Sequence, residues 1–387
     1  MFKCFNVPTL QHLNNMKIGF DGKRAANNLT GLGNYSRSLI EHLAKGFTQN
    51  QYFIYTPKAK ASIIDFPLFK RENISLKLPQ KAKFLWRSLG VKHQLLEDKI
   101  DLFHGLSYEI PFGLKKTGIK SVVTIHDLIF LRKPEYYQPI DRFIYDYKSK
   151  YACKNADQII AISEKTKQDI IELYNISPAK IEVIYQSCDD SFKVAATAAQ
   201  EEEVKIKYNL PNQYILSVGT IEPRKNILAI VKAMPKINAD FKLIIIGKEK
   251  PYAKIVKQEI EKLGITNRVV FLKDIPFKDL PSIYQMASLF VLPSYYEGFG
   301  IPIIEALYSE VPVIAATGSC LEEAGGPNSL YVNPDDFEGF AKAINNVLTN
   351  VSLQQTMKEK GLQYVQSFNN EVINEHLMAC YLKTLNI

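Results

Sequence analysis

A segment late in the chain combines two glutamates with two glycines directly after an apolar run. It reads Pro293-Ser294-Tyr295-Tyr296-Glu297-Gly298-Phe299-Gly300-Ile301-Pro302, and Glu305 lies eight positions after Glu297. Glycines in such a loop allow backbone amides to point at a ligand, and Pro302 suits the first position of a helix. A carboxylate there can accept hydrogen bonds from sugar hydroxyls and stabilise positive charge at an anomeric carbon.

A basic turn, Glu222-Pro223-Arg224-Lys225-Asn226, also follows an apolar run. A guanidinium can bind two oxygens of a phosphate group, while an ammonium acts as a point charge. Adjacent Arg224 and Lys225 therefore suit a diphosphate. Their place between a strand pattern and a helix pattern favours this over a solvated pair of surface charges.

Two further signals lie in the first half of the chain. Gly31-Leu32-Gly33-Asn34 separates a strand pattern from a helix pattern, where free amides can hold a phosphate. It is neither a G-x-G-x-x-G motif nor a P-loop, and a tight turn is the alternative. His126 follows the apolar run Ser121–Ile125, where a neutral imidazole could hydrogen-bond a hydroxyl or a leaving oxygen. A structural histidine is the alternative there.

These residues must be positioned by the elements around them. Short apolar, β-branched runs alternate with helical patterns, which is typical of a parallel sheet with helices on both faces. Ser163 is a good helix N-cap, because its hydroxyl can accept from a free amide of the first turn. The predicted strands are Lys17–Phe20, Tyr52–Tyr55, Ile74–Leu76, Leu102–His104, Ser121–Ile125, Gln158–Ile162 and Ile181–Tyr185, then Tyr214–Val218, Phe241–Ile246, Val269–Leu272, Leu289–Leu292, Val311–Ala315 and Leu330–Val332.

The alternation lapses once, between Asp189 and Pro211, where the chain is polar, charged and rich in alanine apart from one short helical stretch. We therefore predict an α/β protein of two doubly wound, Rossmann-like domains that face each other across a cleft. The predicted parts are a loose tail over residues 1–15, an amino-terminal domain over 16–190, a linker over 191–210, a second domain over 211–368, and a final helix over 369–387 that could pack back on the first domain.

The composition agrees with a globular protein. The chain has 387 residues, of which 46% are hydrophobic and 23% charged, so it is not a disordered chain, a collagen-like fibre or a disulfide-rich module. The net charge of +8 suits small anionic ligands or an anionic membrane surface better than nucleic acid. Five scattered cysteines predict free thiols and no zinc site. With no membrane-spanning run or signal peptide pattern, we expect a cytoplasmic protein.

Taken together, these segments resemble the retaining glycosyltransferases of family 4, which have the two-domain GT-B fold. Glu297 and Glu305 match the family's E-x7-E element, and Ser319-Cys320-Leu321-Glu322-Glu323-Ala324-Gly325 is similar to its S-L-P-E-x-A-G turn, with Leu321 in place of proline. The resemblance runs from about Met16 to the carboxyl terminus and looks most like bacterial surface-polysaccharide transferases, many of which use mannose donors. Thr220 departs from it, since many relatives carry an arginine there, and whether Arg224 supplies that charge stays open.

The resemblance implies a role for each matched residue. The carboxyl-terminal domain would bind a nucleotide-sugar donor and the amino-terminal domain an acceptor. The implied catalytic residues are Glu297, His126, Lys225 and Arg224. The implied donor contacts are Glu305 with the ribose hydroxyls, Glu297 with the transferred sugar, the amides of Phe299, Gly300 and Ile301 with sugar and phosphate, Arg224 and Lys225 with the diphosphate, and Gly31 and Gly33 with the diphosphate from the other domain.

The implied reaction is transfer of a hexose, with mannose favoured, from a nucleotide-diphosphate sugar to a saccharide or polyprenyl-linked acceptor with retention of configuration. The donor expected is GDP-mannose rather than a UDP-sugar. No metal and no cofactor are expected, because cations at the diphosphate do what a metal does elsewhere.

The sequence also suggests a contact with a membrane surface, and it leaves several alternatives to glycosyl transfer. The segment Lys81–Lys92 mixes cations with apolar residues around Trp86, which suggests peripheral contact with an anionic inner membrane face; an ordinary surface helix is the alternative. A GT-B-like epimerase or phosphorylase, a non-catalytic sugar-nucleotide-binding protein and a dinucleotide oxidoreductase are the other functions.

Overall fold

The structure is a computed structural model that describes residues 15–79 and 85–387. By their contacts these residues divide into two units. The first contains the described residues up to Gln186 together with Asn370–Ile387, and the second is Ser187–Asn369. Within the two described ranges, no helix is both long and apolar enough to cross a membrane.

The first unit is built on a seven-stranded parallel sheet in the order β3-β2-β1-β4-β5-β6-β7. Its strands are β1 (Lys17–Asp21), β2 (Gln51–Tyr55), β3 (Ile74–Lys77), β4 (Leu102–Gly105), β5 (Lys120–Ile125), β6 (Gln158–Ala161) and β7 (Ile181–Val183). Every residue of β4 and β6 is buried, as expected for strands covered by helices on both faces. The order reverses beside β1, which pairs with both β2 and β4.

Helices cover both faces of this sheet. They are α1 (Gly31–Gly46), α2 (Ala61–Ile64), α3 (Val91–Glu97), α4 (Ile129–Arg132), α5 (Pro139–Asn155) and α6 (Glu164–Tyr174), joined by the last helix of the chain. Ser163 caps α6 as predicted, since its hydroxyl accepts a hydrogen bond from the Thr166 amide at 3.0 Å.

The second unit repeats this architecture with six parallel strands in the order β10-β9-β8-β11-β12-β13. The strands are β8 (Tyr214–Val218), β9 (Lys242–Ile246), β10 (Val269–Leu272), β11 (Leu289–Leu292), β12 (Val313–Ala316) and β13 (Leu330–Val332). The helices are α7 (Ala198–Tyr208), α8 (Ile227–Ala233), α9 (Tyr252–Lys262), α10 (Leu280–Gln285), α11 (Ile301–Tyr308), α12 (Leu321–Gly325), α13 (Phe337–Thr349) and α14 (Val351–Val365). Two parallel, helix-covered sheets confirm the predicted α/β fold class.

The last helix, α15 (Asn370–Leu385), comes after the second unit in sequence but belongs to the first. Leu377, Met378 and Tyr381 of this helix join the core formed by α1 and the central strands. The hydroxyl of Tyr381 lies 2.6 Å from Nδ1 of His104 on β4. The carboxyl-terminal helix is therefore fixed to the first sheet by both apolar packing and a buried hydrogen bond.

The linker predicted over residues 191–210 is corrected by the structure. The chain passes from the first unit to the second between Gln186 and Ser187. The residues after this point are packed: Phe192 lies 5.3 Å from the ring of Tyr284, between ring centroids, and α7 begins at a capping box formed by Thr197 and Gln200. The charged, alanine-rich composition belongs to the exposed face of a short helix whose Val204 is buried.

The segment Lys81–Lys92, for which membrane contact was expected, is only partly covered, because residues 80–84 lie outside the described residues. From Trp86 to Gly90 the chain forms a π-helical turn that leads into α3. Trp86 is buried, whereas Leu89 is exposed. The described part is thus a surface segment whose tryptophan lies in the core.

Candidate active site

The basic turn of the second unit stands at the carboxyl end of β8, beside the point where the strand order reverses. In open α/β sheets this is where ligands bind. Gly219 has φ +152°, and Asn226 has φ +53°. The side-chain amide of Asn226 donates to the carbonyl oxygens of Pro293 at 3.1 Å and Pro334 at 2.7 Å. The first bond fixes the turn against the loop that follows β11, which is the strand adjoining β8 in the sheet, and the second fixes it against the segment that follows β13.

Three candidate residues meet between these two loops. The Glu297 carboxylate accepts from Nζ of Lys225 at 2.6 Å and from Nη1 of Arg224 at 2.8 Å. Nη1 of Arg224 also donates to the Tyr296 carbonyl at 2.6 Å, and its Nη2 donates to Glu222 at 2.9 Å. The side chains of Glu297, Lys225 and Arg224 are 11%, 13% and 17% exposed. The structure thus brings together the predicted anion-binding cations and the predicted sugar-binding carboxylate.

This cluster controls the ionisation of Glu297. Burial raises the pKa of the carboxyl, but the charges of Lys225 and Arg224 outweigh burial and lower the pKa to about 2. Glu297 is therefore ionised across the neutral pH range. A buried carboxylate held this way can face developing positive charge without taking up a proton.

The glycine loop after Glu297 is held by a residue whose role the sequence did not indicate. Sγ of the buried Cys320 lies 3.0 Å from the carbonyl oxygen of Glu297 and 3.1 Å from that of Phe299, so its S–H can donate to either. Gly300 has φ +126°, a backbone conformation that residues other than glycine rarely adopt. The helix α11 then begins at Ile301, one residue before the predicted start at Pro302.

Glu305 lies on α11 with a different environment from Glu297. The hydroxyl of Tyr284 donates to its Oε2 at 2.8 Å. Burial raises the pKa of the Glu305 carboxyl to about 7, against the lowering effect of that hydrogen bond and with a smaller raising effect of Asp189. No cation is paired with it among the described residues. The two glutamates of the E-x7-E element thus differ in charge state near neutral pH.

The remaining candidates belong to the first unit. A Cβ atom on Gly33 would lie 1.8 Å from the backbone oxygen of Asn28, whereas one on Gly31 would meet nothing within 4 Å. Gly33 is therefore required by close backbone packing, and Gly31 leaves open space at the start of α1. Arg37 holds the preceding loop, because its Nη1 donates to the carbonyl oxygen of Asn28.

His126 follows β5 as predicted, but both of its ring nitrogens are engaged. Nε2 donates to the Leu106 carbonyl at 2.9 Å, and Nδ1 accepts from the Gln186 side-chain amide at 3.1 Å. Burial lowers the pKa of the imidazole to about 4, so it is neutral near pH 7. The ring of Tyr35 packs against it edge-on, with centroids 4.8 Å apart. Contact of His126 with a substrate requires exchange of one of its two hydrogen bonds.

A cavity of about 250 Å³ lies at the carboxyl edge of the first sheet. Its wall includes Lys23 and Arg24, which follow β1, and Tyr145 and Lys148 of α5. Neither Lys23 nor Arg24 has an ion-pair partner in the described part of the chain. Sequence analysis missed these two cations, although a basic pair directly after the first strand repeats the signal used for Arg224 and Lys225. Within the described residues, no three His, Cys, Asp or Glu side chains are grouped as a metal site requires.

Comparison with known proteins accounts for both units. Residues 29–192 match the family model of glycosyltransferase family 4, and residues 199–364 match that of glycosyl transferases group 1. The chain contains both of these glycosyltransferase domains. O-antigen chain mannosyltransferase B of Escherichia coli is 29% identical over 96% of this chain and 99% of its own length. O-antigen chain mannosyltransferase RfbU of Salmonella typhimurium is 33% identical over 58% of this chain and 60% of its own length.

Solved glycosyltransferase structures share the fold. Sucrose-phosphate synthase of Thermosynechococcus elongatus aligns with a TM-score of 0.76 and 21% identity over 95% of this chain and 99% of that chain. Anabaena HepE in complex with UDP and glucose aligns with a TM-score of 0.74 and 18% identity over 95% of this chain and 100% of that chain. The glycosyltransferase fold is therefore GT-B, as the sequence predicted.

Proposed function

We propose that this glycosyltransferase transfers a mannosyl group, with retention of configuration, from GDP-mannose to a saccharide or polyprenyl-linked acceptor in surface-glycan synthesis. The observation that carries the proposal is the convergence of Lys225 and Arg224 on Glu297 at the ligand-binding edge of the second sheet. Mannose is preferred to other hexoses because relatives along the chain are named as O-antigen mannosyltransferases. The same names support GDP-mannose over a UDP-sugar.

In the proposed complex, the cations of the second unit hold the donor diphosphate. Lys225 supplies a point charge, and Arg224 supplies a planar donor fork and the charge that Thr220 lacks. The backbone amides of Phe299, Gly300 and Ile301 lie near the sugar and phosphate, and Glu305 accepts hydrogen bonds from the ribose hydroxyls. Two cations at the leaving group make a metal ion and a cofactor unnecessary, so we expect transfer to persist in excess chelator.

The proposed chemical step needs no strong base. The bond between the anomeric carbon and the diphosphate oxygen breaks, and both electrons stay with the diphosphate, whose charge Lys225 and Arg224 neutralise. The acceptor oxygen bonds the anomeric carbon on the same face, and its proton passes to the departing phosphate oxygen. Ionised Glu297 stabilises the positive charge that builds up at the sugar. Neutral His126 can hydrogen-bond the sugar or the incoming hydroxyl once it exchanges a present partner.

The first test is a comparison of nucleotide sugars. A thermal-shift screen should show that GDP and GDP-mannose stabilise the protein more than UDP and UDP-sugars, because a ligand specific for the native state raises the melting temperature by mass action. Nuclear magnetic resonance of the product should then show the anomeric configuration of the donor. A product of inverted configuration, or stabilisation by uridine nucleotides alone, contradicts the proposal.

Variants test the residues. Lys225→Ala and Glu297→Ala should each abolish most transfer while the fold stays intact, as measured by circular dichroism. Lys257→Ala is the matched control, because Lys257 forms a part-buried ion pair with Glu249 outside the cluster of Glu297, Lys225 and Arg224. Lys225→Ala should also weaken GDP binding, whereas Glu297→Ala should not, since it removes a negative charge beside the diphosphate. Wild-type turnover in either variant refutes the site assignment.

A further inference from the structure

The helix α5 carries an apolar stripe that the other described residues leave uncovered. Ile140, Phe143, Ile144 and Tyr147 recur at intervals of three and four residues, so they lie on one face of the helix. Their exposed fractions are 75%, 71%, 41% and 58%. Single exposed apolar residues are ordinary on protein surfaces, but a contiguous row of four large ones indicates an interaction surface.

The stripe is firmly attached to the first unit at one end. Tyr151, the next residue along the same face, packs on Phe112 with ring centroids 4.5 Å apart, and its hydroxyl accepts from the Gly113 amide at 2.7 Å. Ala152 and Cys153 are fully buried. The second half of α5 is therefore core, while the first half presents its apolar face to solvent on a fixed support.

Cations surround this face. From Arg132 to Asn155 the chain has six basic residues and three acidic ones, Glu135, Asp141 and Asp146. Arg132 is bound by Asp169 and Glu172, and Lys148 by Glu109. The other four, Lys133, Arg142, Lys150 and Lys154, have no acidic partner in the described ranges of the chain. The three acidic residues likewise form no ion pair within these ranges, so six basic residues against three acidic ones give the stretch a net charge of +3. An apolar stripe on such a basic stretch complements a surface that is apolar inside and anionic at its boundary.

The same helix also reaches the cavity of the first unit. Tyr145 and Lys148 line that cavity together with Lys23 and Arg24. The helix therefore presents one flank to the cavity and the neighbouring flank, with Phe143 and Tyr147, to solvent. A surface on which the stripe rests would lie next to the cavity mouth.

We propose that the stripe of α5 is the surface through which this enzyme binds a lipid bilayer that contains anionic lipids. Ile140, Phe143 and Tyr147 insert at the level of the headgroups, and the neighbouring cations contact lipid phosphates. This proposal deepens the proposed function, because the cavity beside the stripe would meet a polyprenyl-linked acceptor at the membrane surface. Only that link to the acceptor rests on the proposed function. The contact is thereby centred on α5, and the segment Lys81–Lys92 is not its main element.

The segment before α3 extends this surface without replacing it. The Phe112 amide donates to the Ser88 carbonyl at 2.7 Å, and the ring of Phe112 lies 6.1 Å from that of Tyr147, between centroids. Leu85 and Leu89 of the attached segment are 52% and 46% exposed. They add apolar area to the side of the first unit that the stripe occupies.

The test is sedimentation of the full chain with vesicles. The protein should sediment with vesicles of phosphatidylglycerol and phosphatidylethanolamine at low salt, less at high salt, and weakly with phosphatidylcholine alone. The double variant Ile140→Ser/Phe143→Ser should lower the partition constant by about a hundredfold, or roughly tenfold for each inserted side chain. Ile206→Ser/Val351→Ser is the matched control, since these residues are 71% and 78% exposed in the second unit. It should sediment like the wild type.

Each outcome decides the assignment. Equal sedimentation of the stripe variant and the wild type overturns it, as does a wild-type protein that binds no vesicle. A wild-type dimer that the stripe variant makes monomeric, with unchanged vesicle binding, shows a protein interface instead. The stripe variant should keep its melting temperature, GDP binding and transfer to a soluble saccharide, and lose transfer to a polyprenyl-linked acceptor in vesicles. Absence of mannosyl transfer to any acceptor would refute the proposed function and leave the sedimentation result standing.

Discussion

The Glu305 carboxyl should make donor binding depend on pH. It is partly buried on α11 with one hydrogen bond from Tyr284, and burial raises its pKa to about 7 in the free protein. Ribose hydroxyls donate hydrogen bonds, and an ionised carboxylate is the stronger acceptor. If Glu305 holds the ribose, the nucleotide sugar binds the ionised form. Below pH 7, binding must therefore expel a proton.

The size of the effect depends on the pKa. Each pH unit below the free-protein pKa costs about 1.4 kcal/mol, which is a tenfold loss of affinity. Between pH 8 and about pH 6, the Kd of GDP-mannose should therefore rise about tenfold, with the change concentrated below the carboxyl pKa of about 7. The stability of the free protein should change in a related way. Because this pKa is raised, the native state holds more protons than the unfolded one between its usual value of 4.5 and about 7, so stability falls as pH rises through that window and levels off above it.

Isothermal titration calorimetry with GDP-mannose at a series of pH values measures this dependence. GDP-mannose is the right ligand because both of its phosphates are esterified and do not titrate near neutral pH, unlike the terminal phosphate of GDP. Ser187–Asn369 contains no histidine, so this unit has no other side chain whose ordinary pKa lies in the window. Glu305→Gln should bind more weakly at high pH with a flat profile. A flat wild-type profile, or an unchanged slope in Glu305→Gln, refutes the role assigned to Glu305.

Two structural predictions concern the first unit. Gly33→Ala should destabilise the fold by about 1–3 kcal/mol, because its Cβ would overlap the Asn28 backbone oxygen at 1.8 Å, while Gly31→Ala should melt like the wild type; equal melting temperatures would contradict this. Tyr381→Phe should cost about 1–3 kcal/mol in urea unfolding, because Nδ1 of the buried His104 loses the partner it has at 2.6 Å, and an unchanged midpoint would show that the bond contributes nothing.

The fold could be predicted from the sequence because the strands of parallel sheets have a distinctive residue pattern. Strands buried on both faces are short apolar, β-branched runs, and all thirteen strands of the structure overlap a predicted run. The linker was placed over 191–210 because the composition there is polar and charged, although one short helical stretch was expected within it. Thr197 and Gln200 have the spacing of a capping box, which predicts a helix start, and the helix buries only Val204. Charged residues dominate a helix that contributes one side chain to the core.

Only parts of the candidate site could be predicted from the sequence. The basic turn and the E-x7-E segment each stood out by residue type and position after a strand. Their meeting could not be read from the sequence, because Lys225 and Glu297 are 72 residues apart and come together only where β8 pairs with β11. The contact of Cys320 with the loop carbonyls depends equally on tertiary packing. The sequence position of His126 correctly predicted that it follows β5. That both of its ring nitrogens form hydrogen bonds within the protein could not be predicted from the sequence.

The ion pairs at the basic turn also explain why a carboxylate stands where a diphosphate is proposed to bind. Two adjacent cations without a partner would repel each other and take several orientations. Glu297 holds both, and Glu222, itself paired with Lys250 at 2.6 Å, holds Arg224 from the other side. The three cations, Arg224, Lys225 and Lys250, and the two carboxylates, Glu222 and Glu297, have a net charge of only +1. The cluster therefore acts through the fixed positions of its charges rather than through a large excess of positive charge. Groups held in place before the donor arrives need no reorganisation when negative charge moves to the leaving phosphate, and that is the condition under which electrostatic catalysis is most effective.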